Sequence, residues 1–105
     1  MSRHFQRDAD SINRRLMSVF GVVEKMIDNA VRALCEQRDD LAEEVIATDA
    51  QVNQIEVEIE EECLKILALH QPVASELRRI TMVLKINVEL ERIADLACNI
   101  AERAR

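Results

Sequence analysis

Glu89-Leu90-Glu91-Arg92-Ile93-Ala94-Asp95-Leu96-Ala97-Cys98-Asn99-Ile100-Ala101-Glu102 contains neither Gly nor Pro, and its aliphatic residues recur at three- and four-residue steps. That spacing marks one face of an α-helix. Glu91 and Asp95 fall one turn apart, so two carboxylates share a face and repel unless something positive lies over them. A multivalent cation is the simplest such partner.

The same periodicity extends in both directions. Upstream, Val83, Ile86, Leu90, Ile93, Ala97 and Ile100/Ala101 form the expected core stripe of a third helix. Its last turns are rich in Ala, which lets a neighbouring helix approach closely. Pro72 suits the first helical position, with Glu76 near the positive end of the dipole. Leu41, Val45, Thr48, Val52, Ile55, Ile59, Glu62/Cys63 and Ile66 form the seam of a second helix. Asp40 as N-cap with Glu43 three residues on makes a capping-box-like start. The helix ends near His70-Gln71, because the residue before Pro72 is pushed away from helical angles. A first helix runs from about Phe5 to Gln37 along Phe5, Ile12, Leu16, Val19, Val23, Met26, Ala30 and Leu34. Gly21 is its weak spot, costing ~1 kcal/mol against Ala, and is expected to permit a close approach.

Short connections near Arg38 and Gln71 force antiparallel neighbours. The expected fold is all-α: an up-down-up antiparallel three-helix bundle, roughly 45–50 Å long at ~1.5 Å per residue, with residues 1–105 as one domain.

Composition agrees. Of 105 residues, 49% are hydrophobic and 32% charged, with one Gly, one Pro and two aromatic residues, both Phe. That leaves too few turn residues for an all-β domain. The formal charge of −6 argues against nucleic-acid binding. Cys35, Cys63 and Cys98 lie in helical patterns without metal-ligand spacing, and read as small buried thiols in a reducing compartment. Met17, Met26 and Met82 read as core filler. No run reaches the ~18 apolar residues of a spanning helix, so a cytoplasmic location is expected, with membrane contact at most peripheral.

On the second helix Asp49, Asn53, Glu56 and Glu60 form an edge row at steps of four, three and four. On the third, Glu91, Asp95 and Glu102 lie at the edge of the stripe, whereas Lys85, Glu89, Arg92 and Arg103 face solvent. If the two rows share a side, their oxygens converge into a site for a hard cation; solvated helix edges are the plainer reading. A di-iron oxidase needs Glu-x-x-His pairs, and neither His4 nor His70 has a Glu three residues before it. Both histidines read as surface or helix-end residues. There is no phosphate-binding Gly-rich loop, Ser/His/Asp set or HExxH, so no catalytic residue is assigned.

Three motifs resemble one repeat of the PhoU family. They are Asp49-x-x-x-Asn53-x-x-Glu56; His70-Gln71-Pro72-Val73-Ala74-x-x-Leu77-Arg78-x-Ile80; and Leu84-Lys85-x-x-x-Glu89-Leu90-Glu91-Arg92-Ile93-Ala94-Asp95. They occur in the family's order and spacing across nearly the whole chain. The resemblance implies the same three-helix bundle and metal sites of paired E/D-x-x-x-D motifs; the donor chemistry admits iron, manganese, magnesium or zinc without choosing among them. Glu91 and Asp95 match one motif, Asp49 and Asn53 its partner, with Glu56 and Asn99 as flanking ligands. Arg78 matches a characteristic arginine, read as a structural salt-bridge partner. Asn53 departs from the family's second carboxylate and Ala94 from a common Gly.

The resemblance further implies a non-enzymatic, cytoplasmic regulator of phosphate uptake and phosphate-starvation signalling. It would couple a phosphate ABC transporter, through its ATPase, to a sensor histidine kinase. PhoU proteins usually carry two such repeats and this chain matches one, so self-association, most simply as a homodimer, is expected. The competing readings are a metal-free helical adaptor and a metal-dependent helical enzyme or storage protein.

Overall fold

A computed structural model describes residues 3–105. Helices α1 (Arg3–Glu36), α2 (Asp39–His70) and α3 (Ala74–Ala104) each pack against both others in a rod of 52 × 18 × 16 Å. The connections are two and three residues long, so successive helices run antiparallel, as expected.

The core follows a strict three-four alternation. On α1 it runs Phe5, Ala9, Ile12, Leu16, Val19, Val23, Met26, Ala30 and Ala33, all buried. Leu34, expected to end this seam, is 52% exposed, and Ala33 takes its place. Gly21 is exposed and a Cβ there would meet nothing within 4 Å, so it serves no close approach. On α3 the buried residues are Ile80, Val83, Asn87, Leu90, Ala94, Ala97 and Ala101. Ile86 and Ile93, expected in this stripe, are half-exposed one position away. The seven-residue rhythm continued through Asn87 and Ala94, which are small enough for α3 to lie close to α2. Met17 and Met82 are likewise exposed rather than core filler, whereas Met26 is buried. Of the thiols only Cys63 is buried; Cys35 is exposed and Cys98 partly so.

Both helix starts differ from expectation. Arg38, in extended conformation, is the N-cap of α2, and no side chain caps it. The Asp40 carboxylate is instead held by the Arg38 guanidinium at 2.7 and 3.0 Å, and Asp39 and Asp40 act through the dipole of the first turn. Pro72 lies outside α3, which begins at Ala74 after the extended N-cap Val73. The chain reverses there through Gln71, buried Pro72 and Val73, so the proline's fixed φ serves the turn and not the helix. Gln37, Gln71 and Ala74 adopt left-handed angles, φ 54, 47 and 52 degrees. With no Gly at either turn, each costs on the order of 1 kcal/mol of backbone strain. The Gln71 N–H donates to the Leu67 carbonyl at 3.1 Å, closing the end of α2.

Candidate functional site: an acidic seam between α2 and α3

The heptad rhythm of α2 runs Ala42, Val45, Asp49, Val52, Glu56, Ile59, Cys63 and Ile66. Two carboxylates therefore occupy seam positions where Thr48 and Ile55 were expected. Glu56 is only 2% exposed and is not the edge residue its neighbours in the row suggested. Neither of its carboxylate oxygens has a hydrogen-bond partner, and the same holds for the buried Asp49 Oδ1 and Asn87 Oδ1. From the facing helix Asn87 Nδ2 donates to the Glu56 backbone carbonyl at 2.9 Å, tying α3 to α2 beside the carboxylate.

Electrostatics show which groups converge. Burial pushes the Glu56 carboxyl up to about 7, and the charges of Glu91, Asp95 and Asp49 push the same way. Burial, then the charge of Asp95, raises Asp49, against the hydrogen bonds it accepts from Cys98 and Asn53. The Asn53 Nδ2 to Asp49 Oδ2 distance is 3.5 Å. The Cys98 thiol lies between Asp49 and Glu102, with Sγ 3.8 Å from Glu102 Oε1. Burial and these two carboxylates drive the thiol up to about 11.

The interhelical ion pairs of the described residues lie elsewhere. Arg15–Glu58 at 2.8 Å, Arg79–Asp10 at 2.6 Å and His70–Asp8 at 3.1 Å tie α1 to its neighbours. Among the described residues, no Lys, Arg or His pairs with Asp49, Glu56, Glu91, Asp95 or Glu102. Of the residues expected in the site, the structure thus brings Asp49, Asn53, Glu56, Glu91 and Asp95 to one seam, Glu91 and Asp95 from its exposed rim. Asn99 is exposed and makes no side-chain hydrogen bond among the described residues. Arg78 is exposed without an ion pair there; the neighbouring Arg79 makes the interhelical bridge. Asn87, Cys98 and Glu102 complete the cluster. Asn87 had a sequence signal, a polar side chain at a core step of the heptad, whereas Cys98 had none beyond its place beside the acidic rim.

The donor set suits a multivalent cation: buried oxygens without donors, negative charge without a counterion, and oxygen-rich chemistry. As the side chains lie, no three acidic, imidazole or thiol groups among the described residues stand close enough to hold an ion. A cation could be held here only if the rim side chains turned inward.

Three long antiparallel helices with a carboxylate-lined seam define the class of this protein as an all-α three-helix bundle. A PhoU domain model matches residues 16–104, and the chain belongs to the PhoU family. It is 43% identical to the phosphate-specific transport system accessory protein PhoU homolog of Pseudomonas putida over 104 residues, 99% of this chain and 41% of that protein. The corresponding PhoU of Escherichia coli is 40% identical over 104 residues, 99% of this chain and 43% of that protein. The homolog from Aquifex aeolicus is 41% identical over 98 residues, 93% of this chain and 44% of that protein. The chain spans about two fifths of the length of these relatives.

Proposed function

We propose that this chain is a regulatory module of phosphate uptake that holds a multivalent cation in the α2/α3 seam and works by docking, without catalysis. The buried, unpaired Glu56 carboxylate facing Glu91, Asp95 and Asp49 carries the cation part of this reading. The regulatory part rests on the relatives, named as accessory proteins of the phosphate-specific transport system. In this reading the module contacts the transporter's ATPase and passes its state to a sensor histidine kinase, lowering uptake and starvation signalling when phosphate is ample. Its place is the cytoplasmic face of the membrane; no helix of the described residues is long and apolar enough to cross one.

The cation, drawn from iron, manganese, magnesium or zinc, would be held by Glu91, Asp95, Asp49 and Glu56, with Asn53 in support. It would offset the repulsion among these groups and lock α2 to α3. Protein purified without chelator or affinity-column metal is expected to retain near-stoichiometric metal by elemental analysis, and Glu91→Ala with Asp95→Ala to lose it. Equal metal content in wild type and double variant would end the site assignment. The metal-free adaptor is the second reading, favoured by the spacing of the side chains as they lie. A metal-free wild-type protein that folds and refuses added ions would select it.

Self-association belongs to the same proposal. Phe20 and Ile93 line a largely apolar groove between α1 and α3 with Val23, Ile27 and Leu90, and one acid, Glu24, borders it. Val31, Leu34, Ile86 and Leu96 continue the two apolar stripes at helical spacing, 44%, 52%, 40% and 54% exposed. A largely apolar face of this kind fits a twofold contact with a second copy. Wild type is expected to sediment as a dimer and Phe20→Glu with Ile93→Glu as a monomer; a monomeric wild type at high concentration would refute the contact.

A further inference from the structure

Besides the groove around Phe20 and Ile93, the bundle has a second apolar surface, on the other side of α3. Asn87 donates to the Glu56 backbone carbonyl and fixes which turns of α2 and α3 face each other. Stepping about 100° per residue from these two positions puts Val57 and Leu64 of α2 on the flank turned away from α1. Leu77, Leu84 and Val88 of α3 fall on the same flank, whereas the opposite one carries Glu58 and Arg79, which pair with α1. Val57, Leu64, Leu77 and Val88 are between 42% and 52% exposed. Leu84 and Val88 line a shallow hollow with Thr81, bordered by Lys85 and Glu89.

Away from the α2/α3 turn the same flank becomes acidic. Asp49 on α2 and Glu91, Asp95 and Glu102 on α3 continue it, and no Lys, Arg or His among the described residues pairs with them. Beneath this rim Glu56 and Asn87, 2% and 3% exposed, hold side-chain oxygens without a donor. Buried acceptors without donors cost free energy in the isolated chain, and a cationic donor from outside relieves that cost.

We propose that this flank docks one amphipathic helix of a partner protein, with apolar residues against Val57, Leu64 and Val88 and arginine or lysine residues over the Glu91–Asp95 rim. The inference rests on the docking part of the proposed function and stands with or without a metal ion in the seam. A guanidinium or ammonium group hydrogen-bonds one or two carboxylates from the end of a flexible stem and needs no closed shell of ligands. The acids therefore suit it at the spacing they already have. From Leu77 to Glu102 the flank runs about 38 Å, the length of a helix of about 25 residues. Laid there, the partner helix completes a four-helix bundle. In a twofold pair of copies the acidic half meets either itself or the apolar half, and neither supplies a cation.

The test is a fluorescence-anisotropy titration of the whole chain, in chelator, with a labelled helical peptide of about 25 residues. One half of the peptide carries leucines at three- and four-residue steps, the other half arginines at the same steps. Wild type is expected to bind it at least about tenfold more tightly than a scrambled peptide of the same composition. Val57→Ser with Leu64→Ser, and Glu91→Gln with Asp95→Gln, are each expected to weaken binding about tenfold or more. Glu24→Gln with Asp28→Asn removes the same charge from α1 and is expected to bind as wild type does; circular dichroism confirms that each variant folds. Wild type that binds neither peptide, or both alike, would overturn the proposal. So would equal weakening by the α1 variant, which would mean general attraction between an acidic protein and a basic peptide. A wild-type dimer that Val57→Ser with Leu64→Ser turns into a monomer would give the flank to a second copy and overturn it too. Metal content measured on the same proteins reports the cation reading separately: metal retained without peptide binding overturns the docking flank alone.

Discussion

Glu56→Gln is expected to abolish a pH-dependent loss of stability of about 3 kcal/mol in the chelator-treated protein, since the carboxyl stands at about 7 in the folded chain against 4.5 in the unfolded one. Below 4.5 the group is protonated in both states and contributes no pH dependence. Between 4.5 and about 7 the folded chain keeps a proton that the unfolded chain has released, so stability falls as pH rises. Above about 7 the buried carboxylate is charged and the whole penalty applies. Asp49, also raised by burial and by Asp95, adds in the same direction. Asp40, lowered by its hydrogen bond to Arg38, acts oppositely but is fully exposed. Urea midpoints measured near pH 5 and pH 8, on either side of the folded-state value, should separate strongly for wild type and much less for Glu56→Gln. Equal midpoints for wild type at the two pH values would show that the carboxylate is solvated or partnered and not buried alone. If the seam takes a divalent ion as proposed, adding one should remove most of the pH 8 penalty, because a cation would supply the missing partner.

Ile59→Ala is expected to cost about 2–5 kcal/mol, a large share of the roughly 5–15 kcal/mol that a domain of this kind possesses. Ile59 is 0% exposed and lies mid-bundle, one turn beyond Glu56, where all three helices constrain the space. The cavity left behind cannot collapse without moving a helix. Leu64→Ala removes a similar side chain that is 52% exposed, and its expected cost is below ~1 kcal/mol. Denaturant unfolding of the pair reads the register of α2 directly. A cost at Leu64 equal to that at Ile59 would mean that the helix is rotated from the position described.

The two substitutions probe the same question: which residues α2 presents to the core. Reading hydrophobicity along α2 selects Thr48 and Ile55, and along α3 Ile86 and Ile93, because these are the less polar members of adjacent pairs. The fold buries Asp49 in part, and Glu56, Asn87 and Ala94 in full. The strict three-four step continued from Val45 and Val52 lands on Asp49 and Glu56, so the signal was present, but it required placing charge in a core. Such placement is unfavourable for folding alone, which is why it is informative about binding. In α3 the choice was decided by size. Ala94, Ala97 and Ala101 let the helix lie close to its neighbours, while Ile93 remains at the groove beside Phe20.

Taken alone, the chain's local chemistry determined the three helices, their lengths within a few residues, their antiparallel order and the family motifs around Asp49, Arg78 and Glu91. Helix periodicity, the scarcity of Gly and Pro, and short turns act over neighbouring residues, so they can be read along the sequence. The helix starts were less legible, because Arg38 and Pro72 answer to the geometry of the turn and not to capping preference. Only the tertiary structure decided that Glu56 is buried without a partner, that Cys98 lies between Asp49 and Glu102, and that every interhelical ion pair among the described residues involves α1. Those facts depend on the rotation of one helix against another. That rotation is set by the summed packing of all three seams, which no single stretch of sequence contains.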